Sequence, residues 1–300
     1  MNCLICGSSK IEMIDTVVSD FVMARIDKNF QTGKNYKTKL CFCKNCSFAF
    51  YDYRFNEDEE YRLYNNYRDE EYQHLREKYE CWYTEKVNRV LNSDEIAIEE
   101  QRKQIETVLF RNTIAGEIKI ALDYGGNEGK TFSDKIGTKE KFVFDISGVK
   151  PIDGVTSISS YEDLKKHTYD FIMCNMLFEH LSHPMDTLKK IIQLGNSNTF
   201  FYIEVPSENP FIKGNKFSAL KNLGLALNPN YSLFRLIKFY LKTNRGCFMP
   251  MKEHINFYTE ESIRKMIEIS NCKVVAISDN KRKSSLGKSE VLSVLFQKNT

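Results

Sequence analysis

The sequence has little of what marks fibrous, disordered or membrane-spanning chains. Of its 300 residues only 6 are proline and 14 are glycine, while 42% are hydrophobic. This balance excludes a collagen-like or wholly disordered chain. No apolar run approaches the roughly 20 residues that a membrane-spanning helix needs. The N-terminal segment has no basic stretch followed by an apolar one, so we expect no secretory signal and a cytoplasmic location.

Charge of a single sign is also missing. The formal net charge is only +3, which by itself predicts neither a nucleic-acid partner nor a membrane surface. The length suggests one large domain or two ordinary ones, with room for a sizeable core. Residues 1–50 are not notably basic either, so we expect no nucleic-acid partner.

Cysteines are concentrated near the N-terminus. Nine is an odd number, which disfavours a fully paired disulfide framework. The first 46 residues contain two CxxC pairs, Cys3 with Cys6 and Cys43 with Cys46. Two such pairs can complete a closed, tetrahedral and therefore structural zinc site. Two alternatives stay open: Cys41 replaces Cys43, or the thiols pack as small hydrophobic groups.

Short apolar runs alternate with helical patterns in the second half of the chain. The runs predict strands at residues 118–124, 141–146, 169–175 and 199–205, with a short strand near 155–158. Helices are predicted at 129–136, 161–167, 184–195 and 259–270, and a closing hairpin at 272–278 and 291–298. This alternation is typical of a parallel, doubly wound α/β sheet.

Three regions are predicted along the chain. Residues 1–50 form a small zinc-binding β module, and residues 51–115 a helical, tyrosine-rich bridge with helices at 70–91 and 93–111. Residues 116–300 form the α/β domain, and a helical insertion is predicted at residues 211–252.

A glycine-rich turn, ALDYGGNEG, follows the first predicted parallel strand. Gly125 and Gly126 allow the backbone to approach a ligand closely, and Gly129 opens the next predicted helix. The strand itself carries Asp123, and the next strand ends in Asp145, 22 residues later. A carboxylate at that second place can hold the two hydroxyls of a ribose.

The turn does not fit the dinucleotide fingerprint G-x-G-x-x-G, because Asn127 and Lys130 stand at its second and third glycine positions. This disfavours a nucleotide-dependent oxidoreductase. The turn resembles motif I of class I S-adenosylmethionine-dependent methyltransferases, in which an acidic residue precedes a G-x-G-x-G turn. Asn127 stands where that family usually has its middle glycine.

Other segments extend the resemblance over about residues 117–298. YDFIMCNMLFEHLSHP is similar to the family's fourth strand and following loop, FFYIEVPSENP to its fifth strand, and EHINFYTEESIRKM to the segment entering the next helix. The resemblance implies a Rossmann-like, doubly wound seven-stranded sheet. The cysteine pairs and the tyrosine-rich bridge also resemble bacterial methyltransferases of sugar and glycan pathways, some sugar C-methyltransferases included.

The resemblance implies S-adenosylmethionine as cofactor and places it position by position. The methionine end would lie along Asp123, Gly125, Gly126, Asn127 and Gly129. Asp145 would bind the ribose, and Ser160 or Tyr161 would approach the adenine. The sulfonium would be flanked by Asn175, Met176 and Leu177.

Four side chains are candidates for acid–base work on the methyl acceptor. His180 is the first, because its ordinary pKa of about 6.5 suits a base near neutral pH. Glu179 precedes it, His254 follows the predicted insertion, and Glu204 ends the fifth strand of the domain. For each, a capping, hydrogen-bonding or solvated role is the alternative.

Two further patterns bear on the acceptor. Tyr61, Tyr64 and Tyr67 are spaced by three, so they share a face of a predicted helix and could stack on a sugar; a place in a domain interface is the alternative. The insertion at 211–252 contains eight basic residues and no acidic one. Such a segment fits an anionic, sugar-linked acceptor or contact with an anionic membrane surface, unless it is a solvated helical face.

These observations predict an S-adenosylmethionine-dependent methyltransferase with a structural zinc module. Its expected acceptor is a sugar, a nucleotide-sugar, a glycan precursor or a related small anionic metabolite, methylated at oxygen or carbon. The alternatives are an RNA- or protein-directed methyltransferase and a non-catalytic binding protein that retains the fold.

Overall fold

The computed structural model describes residues 1–80, 83–211 and 249–299, apart from the side chain of Ala115. Its larger sheet has seven strands: β4 (Ile120–Tyr124), β5 (Glu140–Phe144), β6 (Thr156–Ser157), β7 (Phe171–Asn175), β8 (Phe200–Pro206), β10 (Cys272–Ser284) and β11 (Gly287–Lys298). The spatial order is β10-β11-β8-β7-β4-β5-β6. Five neighbouring strands are parallel, whereas β11 runs antiparallel to both β8 and β10. The predicted Rossmann-like fold class is confirmed.

The central strands read as apolar runs because both faces of the sheet are covered. Every residue of β7 is buried, and β4 is buried over its three middle positions. One face packs against α7 (Pro184–Gln193) and α8 (Glu260–Ile269), and the other against α5 (Glu95–Arg111). Among the described residues, no helix is both long and apolar enough to cross a bilayer.

A second, four-stranded sheet is built mostly from the N-terminus. Its strands are β1 (Ile11–Val17), β2 (Lys37–Cys43), β3 (Ala49–Tyr51) and β9 (Asn256–Phe257), in that order and all antiparallel. The last strand comes from far along the chain, because Ala49 pairs with Phe257 and Phe50 with Asn256. The N-terminal sheet therefore includes two residues of the segment that follows the predicted insertion.

The remaining helices surround these sheets. They are α1 (Asp20–Ile26), α2 (Glu57–Tyr64), α3 (Glu70–Tyr79), α4 (Glu85–Ser93) and α6 (Tyr161–Leu164). Side-chain caps fix several starts: the Asn56 side chain and Glu59 form a capping box at α2, and Thr259 and Ser262 form one at α8.

Two predicted helices differ from the structure. The helix expected over residues 70–91 is two helices, because α3 ends at Tyr79 and α4 begins at Glu85. The helix expected over 129–136 is absent apart from a short 3-10 turn, Asp134–Ile136. Asn127 (φ 52°) and Gly129 (φ 73°) take left-handed conformations that cannot start a right-handed helix. Of the predicted insertion, residues 212–248 lie outside the described residues.

Arg54 joins the N-terminal sheet to the α/β domain. Its guanidinium donates five hydrogen bonds of 2.5–3.4 Å, to the carbonyl oxygens of Tyr51, Leu181, Ser182 and Ile255 and to Oδ1 of Asn256. Burial lowers the pKa of Arg54 to about 10, which still leaves it charged at neutral pH. One side chain thus satisfies acceptors from three separate segments.

We predict that Arg54→Met destabilises the protein by roughly 2–3 kcal/mol, because several buried carbonyl groups lose their donor. Arg264→Met is the matched control, since that arginine lies on α8 with a side chain that is 42% exposed, and in the described part of the chain its guanidinium bonds Glu260. Urea unfolding measures the free energy of unfolding of both variants. Equal urea midpoints for the two variants would show that Arg54 does not stabilise the junction.

Candidate active site

The carboxyl ends of β4, β5, β7 and β8 meet at one edge of the large sheet, which is where ligands of doubly wound folds bind. The glycine-rich turn follows β4 there. Gly125 has φ 78°, and a Cβ added to it would come within 2.9 Å of the Leu177 side chain. A Cβ on Gly126 would overlap the carboxyl group of Asp123. The turn can therefore keep this shape only with glycine at both positions.

Asp123 lies beneath the turn and is fully buried. The Thr131 hydroxyl donates to its Oδ2 (2.5 Å) and the Asn175 amide donates to its Oδ1 (3.4 Å). Burial outweighs these bonds and raises the pKa of Asp123 to about 7. Since none of its surface is exposed, this carboxyl group supports the turn and the end of β7 rather than facing solvent.

Asp145, the predicted ribose ligand, follows β5 and faces the same turn. Its Oδ2 accepts the backbone N–H of Asn127 and its Oδ1 that of Ser147, both at 2.8 Å. Each carboxylate oxygen can accept a second hydrogen bond, so these contacts leave capacity for ribose hydroxyls. The left-handed Asn127 is what directs its N–H to this carboxylate.

The end of β7 supplies the predicted sulfonium neighbours. Asn175 is buried, and its Oδ1 has no hydrogen-bond partner among the described residues. Met176 has φ 52° and donates its N–H to the carbonyl of Glu204 (2.9 Å). An orphaned buried acceptor is costly unless a ligand satisfies it, so Asn175 fits a cofactor that carries a donor.

The predicted adenine neighbours have structural partners. The Ser160 hydroxyl caps α6 by accepting the N–H of Asp163 (3.1 Å), and the Tyr161 hydroxyl donates to the carbonyl of Lys190 (2.8 Å). The side-chain oxygens of both residues therefore have partners within the protein, and their approach to the adenine stays a prediction.

Three of the four predicted acid–base residues converge next to this edge. One ligand-type atom from each of Glu179, His180 and His254 lies within 4.8 Å of the other two. The imidazole rings of His180 and His254 are 4.8 Å apart and nearly perpendicular (81°). This cluster could hold a metal ion or move protons. The hydrogen bonds of each residue determine which of its atoms carry a hydrogen.

His180 remains a neutral imidazole. Its Nδ1 lies 3.1 Å from the carbonyl oxygen of Glu253 and 3.1 Å from the Tyr64 hydroxyl. A carbonyl oxygen can only accept, so Nδ1 carries the hydrogen and Nε2 the lone pair. Burial, aided by the charge of His254, lowers the pKa of His180 to about 3. His180, the first candidate for a base, is therefore a weak one and better suited to accepting a hydrogen bond.

His254 has the opposite electrostatic setting. Burial lowers its pKa, but the hydrogen bond and charge of Glu208, with the charges of Glu179 and Glu253, outweigh this and raise the pKa of His254 above its ordinary value. The Nδ1 atom lies 3.2 Å from Oε2 of Glu208. Glu208 escaped the sequence analysis, although it stands in the segment EVPSENP that was singled out there.

Glu179 is 2% exposed, and its Oε2 has no hydrogen-bond partner among the described residues. Burial is the main cause that raises the pKa of Glu179 to about 7. Its carboxyl group is therefore partly protonated at neutral pH and can donate as well as accept.

Glu204 does not join the cluster. Its buried carboxylate forms an ion pair with Arg282 and accepts hydrogen bonds from Gln101 (2.8 Å) and the Tyr202 hydroxyl (3.1 Å). Both oxygens are engaged with α5, β8 and β10. The structure thus gives Glu204 a place in a structural network, contrary to the catalytic role considered for it.

Of the three tyrosines, Tyr64 reaches the cluster, through its hydrogen bond to His180. The expected helical stripe is wrong, because α2 ends at Tyr64 and Asn66 turns the chain with φ 53°. Tyr67 packs on Tyr64 (5.8 Å between ring centroids), and Tyr61 is 56% exposed.

The four predicted metal ligands, Cys3, Cys6, Cys43 and Cys46, converge in the N-terminal part, their Sγ atoms within 4.8 Å of one another. The Cys3–Cys46 and Cys6–Cys43 sulfur pairs are each 3.6 Å apart. Zinc with Zn–S bonds of about 2.3 Å at the centre of a tetrahedron spaces sulfurs by about 3.8 Å. The donor set and its spacing therefore fit a tetrahedral zinc ion.

Local backbone turns bring these thiols together. Gly7 (φ 69°) and Ser47 (φ 57°), the residues that follow the second cysteine of each pair, are left-handed. Cys41 is outside the tetrad: its Sγ lies 3.3 Å from the Met1 sulfur, and burial raises the pKa of Cys41 to about 12.

Comparison with known proteins agrees with this geometry. A family model described as a methyltransferase domain matches residues 64–277, more than two thirds of the chain. The chain belongs to this family of methyltransferase domains, which confirms the predicted class of enzyme. No curated protein matches the sequence.

Solved methyltransferase structures show a distant similarity to this chain. Magnesium protoporphyrin IX methyltransferase from Synechocystis PCC 6803, solved with bound SAH, has 11% sequence identity and a TM-score of 0.41, over 65% of this chain and 83% of its own. An S-adenosylmethionine-dependent methyltransferase from Clostridium acetobutylicum ATCC 824 has 11% identity and a TM-score of 0.41, over 77% and 98%. Similarity this low carries no argument about the acceptor.

We predict that the purified protein contains one zinc ion per chain, and that Cys43→Ser loses it because three thiolates and a hydroxyl bind zinc poorly. Cys41→Ser is the matched control, since Cys41 is an equally buried thiol on the same strand. Elemental analysis and thermal melting report both variants. Stoichiometric zinc in Cys43→Ser, or its loss in Cys41→Ser, would contradict this ligand set.

Proposed function

We propose that the protein transfers a methyl group from S-adenosylmethionine to a small anionic, sugar-linked acceptor, and that the cysteine tetrad holds a structural zinc ion. One observation carries the proposal. The glycine-rich turn follows β4, and Glu179 and His180 lie in the loop after the neighbouring strand β7, so a cofactor at the turn would lie near the acid–base cluster of Glu179, His180 and His254.

The predicted cofactor residues would each bind a different part of S-adenosylmethionine. Gly125 and Gly126, which pack against Leu177 and Asp123, would shape the turn that receives its methionine end, Asn175 would offer an unpaired amide oxygen to its ammonium group, and Asp145 would keep acceptor capacity for its ribose. S-adenosylmethionine supplies a methyl group already activated by a positive sulfur. Holding donor and acceptor in line can therefore contribute roughly 7–11 kcal/mol.

The acceptor residues handle the proton. His254, kept basic by Glu208, takes the acceptor's proton at Nε2. Glu179, whose carboxyl is partly protonated at neutral pH, donates to an acceptor oxygen, and Nε2 of His180 accepts from a neighbouring hydroxyl. For an oxygen acceptor the base suffices; for a carbon beside a carbonyl, Glu179 also stabilises the enolate oxygen.

The acceptor class rests on charge in the sequence. Residues 211–252 contain eight basic residues and no acidic one, and in the sequence this segment is followed directly by Glu253 and by His254 of the cluster. A basic segment next to His254 in the sequence favours an acceptor that carries phosphate or carboxylate groups.

We predict that Gly126→Ala reduces affinity for S-adenosylmethionine at least about tenfold, because the new methyl group displaces Asp123 and distorts the turn. Gly116→Ala is the matched control, since nothing lies within 4 Å of a Cβ there. Asp145→Ala should also weaken binding. Calorimetric titration with S-adenosylmethionine decides, and full affinity in both site variants would place the cofactor elsewhere.

The function itself is tested with methyl-labelled S-adenosylmethionine and a panel of nucleotide-sugars, sugar phosphates and simple sugars, read by mass spectrometry. We expect one labelled methyl group on one anionic compound, and loss of the product in His254→Asn. Fragmentation of the product shows whether oxygen or carbon is methylated. Label on RNA or protein instead of the panel would contradict the proposed acceptor, and no cofactor binding would contradict the enzyme.

A further inference from the structure

We propose that Glu208 is the positioning residue of His254, and that the cysteine module, residues 1–51, holds this pair in place. The proposal rests on the function proposed above, in which His254 is the base. It assigns the cysteine module a part in the reaction site, through backbone and side-chain contacts that run from the second CxxC turn to Glu208 and from β3 to His254.

The pair itself is well placed to orient a base. Oε2 of Glu208 lies 3.2 Å from Nδ1 of His254, and the two side chains are 35% and 37% exposed. A carboxylate accepts the Nδ1 hydrogen, which leaves the lone pair of the ring on Nε2. Glu208 thereby selects the tautomer that can remove a proton, and its charge favours the protonated ring afterwards.

Glu208 is held by its neighbour Asn209. Asn209 is 3% exposed, and its side-chain amide donates to the carbonyl of Ser47 (2.9 Å) while its Oδ1 accepts the N–H of Phe211 (3.0 Å). Ser47 directly follows Cys46 and has the left-handed backbone of the cysteine turn. The hydrogen bond from Asn209 to Ser47 therefore couples the position of Glu208 to the conformation of the cysteine turn.

His254 is held by the same module from the other side. The next two residues join the N-terminal sheet: Tyr51 donates its N–H to the carbonyl of Ile255 (3.0 Å), and Asn256 pairs with Phe50. The N–H groups of Ile255 and Asn256 both bond the carbonyl of Glu179 (2.8 and 3.0 Å). This places the base, the buried carboxyl group and the module in one hydrogen-bonded unit.

The two members of the pair are 46 residues apart and flank residues 212–248. Both ends of that segment contact the cysteine module: Phe211 stacks on Phe42 (4.8 Å between centroids), and the Thr16 hydroxyl donates to the carbonyl of Met249 (2.6 Å). Contacts on both sides of the pair allow one element to fix the separation of Glu208 and His254. The module does so, and a displacement near 1 Å at a base can cost on the order of 100-fold in rate.

The groups facing His254 determine what a titration will report. They are Glu208, Glu179, Glu253 and the neutral ring of His180. Glu253 is tied to Arg76 and the Tyr72 hydroxyl, and Glu179 is partly protonated near pH 7. Glu208 is the one acidic group among them whose carboxylate bonds the ring in the described part of the chain, so its removal should dominate any change.

The test is a side-chain NMR titration of His254 in the full-length protein labelled at histidine nitrogens. The chain has only five histidines, and His254→Asn assigns the signal. We expect Nδ1–H in the wild type at neutral pH. Glu208→Gln should keep this tautomer but lower the titration midpoint by about one pH unit, because the favourable charge is lost. Glu208→Ala should lose the tautomer as well.

Asn209→Ala tests the connection to the module. We expect it to lower the midpoint and to mix the tautomers, although Glu208 itself is intact. Exposed counterparts serve as controls, Glu268→Gln on α8 and Asn198→Ala before β8, and should change neither signal nor midpoint. Thermal melting and zinc content confirm that each variant is folded.

An unchanged midpoint in Glu208→Gln would overturn the positioning role, and an unchanged His254 signal in folded Asn209→Ala would overturn the role of the module. Neither result depends on an acceptor or on methyl transfer. The titration can therefore fail while the labelled-methyl assay succeeds, and the reverse outcome would refute the proposed function and leave the pair intact.

Discussion

The pairing of β3 with β9 is the contact on which the architecture of the acceptor side depends. It is only two residues long, Ala49 with Phe257 and Phe50 with Asn256. So short a strand pair has little stability of its own. Arg54 and the fully buried Tyr51 and Tyr258 reinforce it. Because His254 stands just before β9, the same contact fixes the base that we propose.

The buried carboxyl groups differ in whether a cation is bonded to them. Glu204 and Glu253 are buried but face arginines, and the charge of Arg76 helps to lower the pKa of Glu253 to about 2 against the cost of burial. Asp123 and Glu179 are buried without a cation bonded to them among the described residues, and their pKa values rise to about 7. Of these two, Glu179 lies in the cluster with His180 and His254, so it is the one placed to exchange a proton with an acceptor near neutral pH.

The sequence predicts elements well where local pattern and tertiary structure agree. The buried run of β7 and the capped start of α8 are examples. It fails where distant contacts decide: Glu204 is neutralised by Arg282, 78 residues later, and Glu208 meets His254 across 46 residues. The predicted helix at 129–136 fails for a second reason, since its residues are compatible with a helix but Asn127 and Gly129 are left-handed.

The family match covers the residues predicted to bind the cofactor but not the cysteine module. The match begins at residue 64, so the cysteine module lies outside it, yet Ser47 and Tyr51 of that module bond the segments that carry Glu208 and His254. The glycine-rich turn and Asp145, by contrast, lie within the match. One cofactor-binding fold can serve enzymes with many different acceptors, because the residues that select the acceptor lie outside the part that the family shares. The acceptor should therefore be sought through the module and residues 211–252 rather than through the fold.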